Sequence, residues 1–226
     1  FFGGAGVSTA SGIPDFRSAT GLYNQMTGSR YTPETMLSHA FFVRHPDEFY
    51  AFVRTSLYYP DAKPNAAHYA LAAMEQQGKL DAVITQNIDD LHQQAGSKVV
   101  LELHDSLKRF YCTRCHSPYP AGQVYAQDLT PHCEDCGGLV RPDVVLYGEQ
   151  LDPNVLNASI AAISNADCLI VGGSSLVVYP AAGLLDYFRG DCLILINRDP
   201  TPYDHQANFV FHGEIGEVLT EISLNN

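Results

Sequence analysis

The chain has 226 residues, 46% of them hydrophobic and 17% charged, enough for one large core or a main domain with a small satellite. Its 13 basic and 25 acidic residues leave a net charge of -12, which argues against the basic footprint that nucleic-acid backbone binding needs and suits a basic peptide better. No run approaches the ~18 apolar residues of a membrane span and no secretory leader is visible, so a cytoplasmic protein is expected.

In chain order, "FFGG" reads as the end of a buried strand whose lead-in residues are expected before Phe1, and "GAGVSTASG" as a glycine turn. Residues 34–59 carry spaced aromatics and aliphatics and read as helix. "NAAHYALAAMEQQGK" predicts a helix capped by Asn65 and stopped at Gly78. "LDAVITQN" is a buried strand, "IDDLHQQAG" a short helix with His92 on its surface, and "KVVLELH" the next strand. Residues 107–140 change character. Beyond them come helix "LNASIAAISNA", strand and turn "CLIVGGSS", helix "YPAAGLLDYFRG", strand "CLILINRD" and closing helix "GEIGEVLTEISL". Continuous apolar strands alternating with helices predict a parallel sheet covered on both faces. The fold class is thus α/β, with 1–106 and 141–226 as one discontinuous domain and 107–140 inserted into it. Cys168 and Cys192 lie in apolar runs and read as small buried hydrophobes.

Cys112/Cys115 and Cys133/Cys136 form two C-x2-C pairs with seventeen residues between them. This is close to zinc-ribbon spacing, because two intervening residues let both thiolates meet one tetrahedral ion. Four cysteines leave no open position, so the ion is structural; two disulfides or a redox pair are the competing readings. His116 and His132 are not needed as ligands.

Four strand ends carry polar or glycine turns. Gly4 and Gly6 let backbone N–H groups approach a pyrophosphate, although Thr9 stands where a third fingerprint glycine belongs. Gly172, Gly173, Ser174 and Ser175 end a second strand, and Asn197 ends a third. Gln86, Asn87, Asp89 and Asp90 cluster after a fourth. Such ends are where parallel sheets bind ligands, and ordinary turn chemistry would also use these residue types.

Together "GAGVSTASGIPDFRS", "TQNIDDLHQQAGS", "ELHDSL", the two cysteine pairs, "RPDVVLYGE", "GGSSLVVYPAA" and "INRDPTPYD" resemble the sirtuins, NAD-dependent protein-lysine deacylases, over nearly the whole chain. The resemblance implies a Rossmann-like domain and a small zinc-ribbon lobe, with NAD and acyl-lysine meeting in the cleft between them. It implies that Ala5, Thr9, Phe16 and Arg17 line the NAD loop, and that Gln86 touches the nicotinamide ribose. Asn87 orders the site, and Ile88 and Asp89 hold the carboxamide. Ser174, Ser175, Asn197 and Asp199 face the adenosine half, and backbone near Glu214 and Ile215 closes over the adenine. The acyl oxygen attacks the ribose C1′ as nicotinamide leaves, and the 2′-OH resolves the alkylimidate with His104 as general base.

The implied partner is an acyl-lysine protein or peptide, added as a strand between "YGEQL" and "SLVVYP". Val145, Tyr147, Gly148, Glu149 and Val177 shape its channel; Val177 could equally be core. Tyr23 is followed by Met26 where succinyl-preferring sirtuins carry arginine, so an uncharged acyl group is expected. The family expectation is a monomer. Protein ADP-ribosyl transfer from the same NAD site is the alternative activity. Gly3, Tyr147 and Asp105 depart from the usual Thr, Phe and Gly. Asp105 is not expected to orient His104, because adjacent residues of an extended segment point to opposite faces.

Overall fold

A computed structural model describes residues 1–224. Its strands are β1 Phe2–Gly3, β2 Val83–Thr85, β3 Val100–Glu102, β4 Asp105–Cys112, β5 Pro118–Pro120, β6 Val140–Val144, β7 Cys168–Gly172, β8 Cys192–Ile196 and β9 Phe209–Phe211. Six of them form one sheet in the order β3-β2-β1-β7-β8-β9, every pair parallel. The other three form an antiparallel sheet, β5-β4-β6.

The α-helices are α1 Leu22–Gln25, α2 Pro33–Met36, α3 His39–Arg44, α4 Pro46–Phe52, α5 Ala66–Gln76, α6 Leu91–Ala95, α7 Ala121–Tyr125, α8 Pro153–Asn165 and α9 Ile215–Leu224. No helix among the described residues is long and apolar enough to cross a membrane. As predicted, Asn65 caps α5: its side chain accepts from Ala67 N–H, while His68 accepts from Asn65 N–H. Asp152 caps α8 ahead of Pro153, whose missing N–H costs nothing at a first helical position.

The central strands of the large sheet are buried on both faces because they are apolar at successive positions. Leu169 and Val171 of β7 pack with Leu193, Leu195, Ile163 of α8 and Leu184. Ile170 faces the other way, with Ile196, Leu71 of α5 and Leu219 of α9. That alternation is the period of two of a strand. Each such fully buried aliphatic side chain contributes about 1.5–3 kcal/mol.

The cysteine-bearing segment does not enclose a core of its own. Phe110, Val124 and Val140 pack with Phe41 and Phe42 of α3 and Phe49, Tyr50 and Phe52 of α4. The Tyr50 hydroxyl donates to the Val140 carbonyl.

Several expectations change. Residues 34–59 are not one helix: Ser38 caps α3, Pro46 starts α4, and a π-helical turn follows at Val53–Leu57. Residues 5–11 and 181–187 are 3-10 helices. The sequence reading missed β9, whose three residues are all exposed. Cys168 is exposed and Cys192 half-buried, since both lie at the outer ends of their strands. His92 is buried, not on a helix surface, and its ring lies 4.7 Å from that of His68.

Candidate active site

A cleft of about 500 Å³ opens where β1, β2, β7 and β8 end. This is the crevice a parallel sheet offers to a ligand, and its size suits one. Two close approaches shape its floor. A Cβ on Gly6 would stand 2.7 Å from Gly173 Cα, and one on Gly173 would stand 2.4 Å from Val7 N, so both positions require glycine.

The sheet side supplies one wall. Ala5 and Thr9 line it from the first turn, Ser174 and Ser175 follow β7, Asn197 and Asp199 follow β8, and Ile215 starts α9. Gln86 donates through Nε2 to Ser174 Oγ at 3.0 Å, joining the ends of β2 and β7. Asn197 Nδ2 donates to the Asp199 carbonyl at 2.7 Å. Phe16 and Arg17 come from the loop that follows the first turn, where Arg17 pairs with Glu34 at 3.4 Å and lies over the Tyr23 ring.

Ser8, which the sequence reading passed over, joins two predicted residues. Its hydroxyl donates to Asp89 Oδ2 at 2.6 Å and accepts from Asn87 Nδ2 at 3.0 Å. The other Asp89 oxygen accepts from Leu91 N–H at 2.9 Å. Burial pushes the Asp89 pKa up, and the Ser8 and Leu91 hydrogen bonds oppose it. Ile88 lines the cleft beside this group. Arg198, also unread in the sequence, lines the adenosine-side wall and pairs with Glu214 at 2.8 Å. Neither residue carries a motif signal by itself: a serine after a glycine turn and an arginine after a strand are common.

His104 sits where the two sheets meet. Its Nδ1 lies 2.9 Å from the Gln86 carbonyl. A carbonyl only accepts, so this hydrogen bond assigns the proton to Nδ1 and leaves Nε2 with its lone pair. Burial lowers the His104 pKa, against the Gln86 bond, which keeps the ring neutral near pH 7. Asp105 does not orient it: its carboxylate reaches Arg109 instead. The reason expected from extended backbone does not hold, because Asp105 has φ 57, in the left-handed region.

The small-sheet side forms the opposite wall. Val145, Tyr147, Gly148 and Glu149 line it, with Tyr147 partly exposed. Tyr147 is held by its backbone, donating to the Leu37 carbonyl and accepting from His39 N–H. The Glu149 side chain is committed to structure. It accepts from Arg141 Nη1 at 2.6 Å and Nη2 at 2.9 Å, from Leu146 N–H at 2.8 Å, and lies 2.7 Å from His39. Burial raises its pKa, but these partners outweigh it and hold the carboxyl at about 2. Val177 is not among the residues lining the cleft, and at 47% exposed it is not core.

The four paired cysteines come together: their Sγ atoms all lie within 4.8 Å of one another, and none is in a disulfide. Their chemistry fits a tetrahedral zinc ion, and backbone N–H groups of Arg114 and Cys115 point at Cys112 Sγ. Gly138 leaves the room, since a Cβ there would meet Cys112 Sγ at 2.9 Å. His116 and His132 stay outside the cluster.

Comparison with known proteins agrees with this geometry. The Sir2 family model matches residues 4–180. A Clostridium perfringens protein named NAD-dependent protein deacetylase is 56% identical over 98% of this chain and 91% of its own. A Staphylococcus aureus protein of the same name is 47% identical, over 98% and 91%. A solved Sir2 bound to a deacetylated p53 peptide and 3′-O-acetyl-ADP-ribose superposes with a TM-score of 0.89 at 41% identity, covering 98% of this chain and 90% of that one. Another, bound to a propionylated peptide, gives 0.85 at 41% over the same shares. The parallel sheet, the cleft at its strand ends and the four-cysteine lobe are those of a recognised family, and the chain belongs to the Sir2 family.

Proposed function

We propose that the chain is an NAD-dependent protein-lysine deacetylase that passes the acetyl group of a lysine side chain to ADP-ribose and releases nicotinamide. The observation that carries the reading is His104: a neutral imidazole on the cleft, its Nδ1–H anchored on the Gln86 carbonyl and its Nε2 lone pair available. NAD, when bound, supplies an electrophilic ribose carbon that accepts the acyl oxygen. All other roles fall to the protein.

In this reading Ala5, Thr9, Phe16 and Arg17 hold the phosphate side, and Ser174, Ser175, Asn197, Asp199 and Ile215 the adenosine side. Gln86 faces the nicotinamide ribose, and Ile88 and Asp89 bind its carboxamide. Asn87 and Asp89 are fixed by Ser8, so these donors and acceptors need no reorganisation when the ligand arrives. His104 takes a proton from a ribose hydroxyl. Zinc at Cys112, Cys115, Cys133 and Cys136 stabilises the lobe and takes no part in the chemistry.

The substrate is an extended peptide held between the Tyr147–Leu151 and Ser175–Pro180 segments by main-chain hydrogen bonds. Val145 and Tyr147 line the lysine channel; Glu149 and Gly148 shape the loop, and Val177 flanks the peptide on the surface. The acyl group is short and uncharged, and broader deacylation extends the same chemistry. Residues 1–106 and 141–226 carry NAD and 107–140 carries zinc; the core that α3 and α4 share with the cysteine-bearing segment supports grouping those helices with the small lobe. The reading includes a monomer acting in the cytoplasm on protein, not nucleic acid; the net charge of -12 supports that last part.

Incubation with NAD and an acetyl-lysine peptide tests the reading by mass. Loss of acetyl from the peptide with appearance of O-acetyl-ADP-ribose is expected. Gain of ADP-ribose on protein without deacetylation would replace it with the transferase alternative, which the deacetylase relatives and acetyl-ADP-ribose complexes do not favour.

A further inference from the structure

His104 stands in a two-residue connection, Leu103–His104, between β3 of the large sheet and β4 of the small one. Backbone bonds hold this connection from both sides: Leu103 N–H donates to the Thr85 carbonyl at 2.9 Å, and Val145 N–H to the His104 carbonyl at 3.2 Å. The chain then turns through Asp105 at φ 57. A non-glycine residue in the left-handed region is strained by about 1–2 kcal/mol, least so for Asn and Asp. The turn that presents the base is therefore a place where the chain needs outside support.

That support is one side chain. Arg109 donates from Nη1 to Glu102 Oε2 at 3.0 Å, from Nη2 to Asp105 Oδ1 at 3.5 Å, and from Nε to Asp143 Oδ2 at 2.9 Å. Glu102 and Asp105 are the residues on either side of Leu103–His104. Asp143 belongs to β6, the neighbour of β4, and the ladder between these strands shifts register between Ser106 and Phe110, the stretch that contains Arg109. Such a bulge re-aims a side chain. The Glu102 end is firm: its side chain is only 12% exposed and also accepts from Gln93 Nε2 at 2.9 Å.

We infer that Arg109 is a positioning residue for deacetylation: its guanidinium closes a bracket across the turn that carries His104 and ties that turn to both sheets. A planar fork with separately aimed N–H groups reaches all three carboxylates at once, where a lysine ammonium, as a point charge, holds fewer of them. The bracket is 47% exposed at the arginine, so it contributes little to global stability. Its effect falls on geometry, where a 1 Å error at a reacting group costs about a hundredfold in rate.

This rests on His104 being the base, and the test separates the two. Arg109→Gln and Arg109→Lys are made in the full chain, beside His104→Ala. Expected for Arg109→Gln is a kcat about ten-fold lower, with KM for NAD changed by less than about two-fold, since positioning of the base acts after NAD binds. The melting temperature should fall by no more than about 2–4 °C. Arg109→Lys should recover part of kcat. Raising salt through the range where the Debye length drops from about 10 to 3 Å should lower wild-type kcat toward the variant and leave the Gln variant flat. Unchanged kcat in Arg109→Gln while His104→Ala is inactive would overturn the bracket and keep the base. A loss of kcat that tracks unfolding, with KM rising in step, would overturn it as mere scaffold. Turnover retained in His104→Ala would remove the base assignment itself, and the bracket with it.

Discussion

The two sides of the cleft are held by different forces. On the large-sheet side, short neutral or singly charged hydrogen bonds fix the reacting groups: Ser8 to Asp89, Asn87 to Ser8, His104 to the Gln86 carbonyl. On the small-lobe side, arginine–carboxylate pairs and four thiols do the holding, around Arg141, Arg109 and the cysteine cluster. Hydrogen bonds of buried groups keep their geometry whatever the salt. The half-exposed pairs of Arg109 and the metal–thiolate bonds respond to ionic strength, pH and chelators, whereas the buried Arg141–Glu149 pair is screened much less. The large-sheet wall is held mainly by contacts that salt leaves alone, and the small-lobe wall partly by contacts that salt and chelators reach.

The largest break in that contrast is His104→Ala, which removes the sheet side's reacting group. Deacetylation should fall by about 10²–10⁴-fold with the fold retained by circular dichroism; near-normal turnover would remove the base from His104. Next is zinc removal by a chelator. Cys112 and Cys133 belong to the same core as Phe110 and Tyr50, so the small lobe should lose its cooperative melting while the large sheet keeps secondary structure. An active, unaltered protein after verified zinc loss would contradict the structural role.

Ser8→Ala sharpens the comparison from within the sheet side. It strips a partner from a partly buried carboxylate and a carboxamide, worth about 1–3 kcal/mol, and kcat/KM should fall about ten- to a hundredfold. Steady-state kinetics reads it, and an unchanged value would mean Asp89 does not need its anchor.

Acid tests the buried histidines of the large-sheet side. Burial lowers the pKa of His68 to about 4, of His92 to about 3, and that of His104 as well. Each is depressed in the folded state, so unfolded chains take up more protons below about pH 6.5. Their contribution to stability is full above that pH and is lost as the pH falls. Denaturant midpoints from pH 8 to 5 should decline, and His92→Phe should flatten the decline. The acid limb of kcat/KM should likewise lie below about pH 6.5. Asp105→Gly has the smallest effect. It relieves left-handed strain and loses one 3.5 Å ion pair, so stability should change by less than about 1 kcal/mol in a melting curve.

Much of this was legible in the sequence because it rests on local pattern. The apolar runs around Ile84, Ile170 and Leu195 announced parallel strands, and C-x2-C spacing announced the metal cluster. Residues tied through distant contacts were not legible. Ser8 stands out only because Asn87 and Asp89 fold over it, and Arg109 only because its guanidinium meets Glu102, Asp105 and Asp143 together. Glu149 read as a substrate contact because the motif placed it beside Tyr147; its commitment to Arg141 depends on tertiary pairing. His92 read as surface from helical spacing, yet α5 covers it. The long helix over 34–59 failed because the Ser38 side-chain cap and the helix-starting Pro46 outweigh a continuous apolar rhythm.

The partner chosen for His104 has one more effect. A carboxylate behind an imidazole strengthens its grip on a captured proton; the Gln86 carbonyl brings no full charge to do so. A ring so placed holds a second proton less tightly than one backed by a carboxylate. In the proposed reading, His104 is thus reset between turnovers with no acid behind it to hold the proton back.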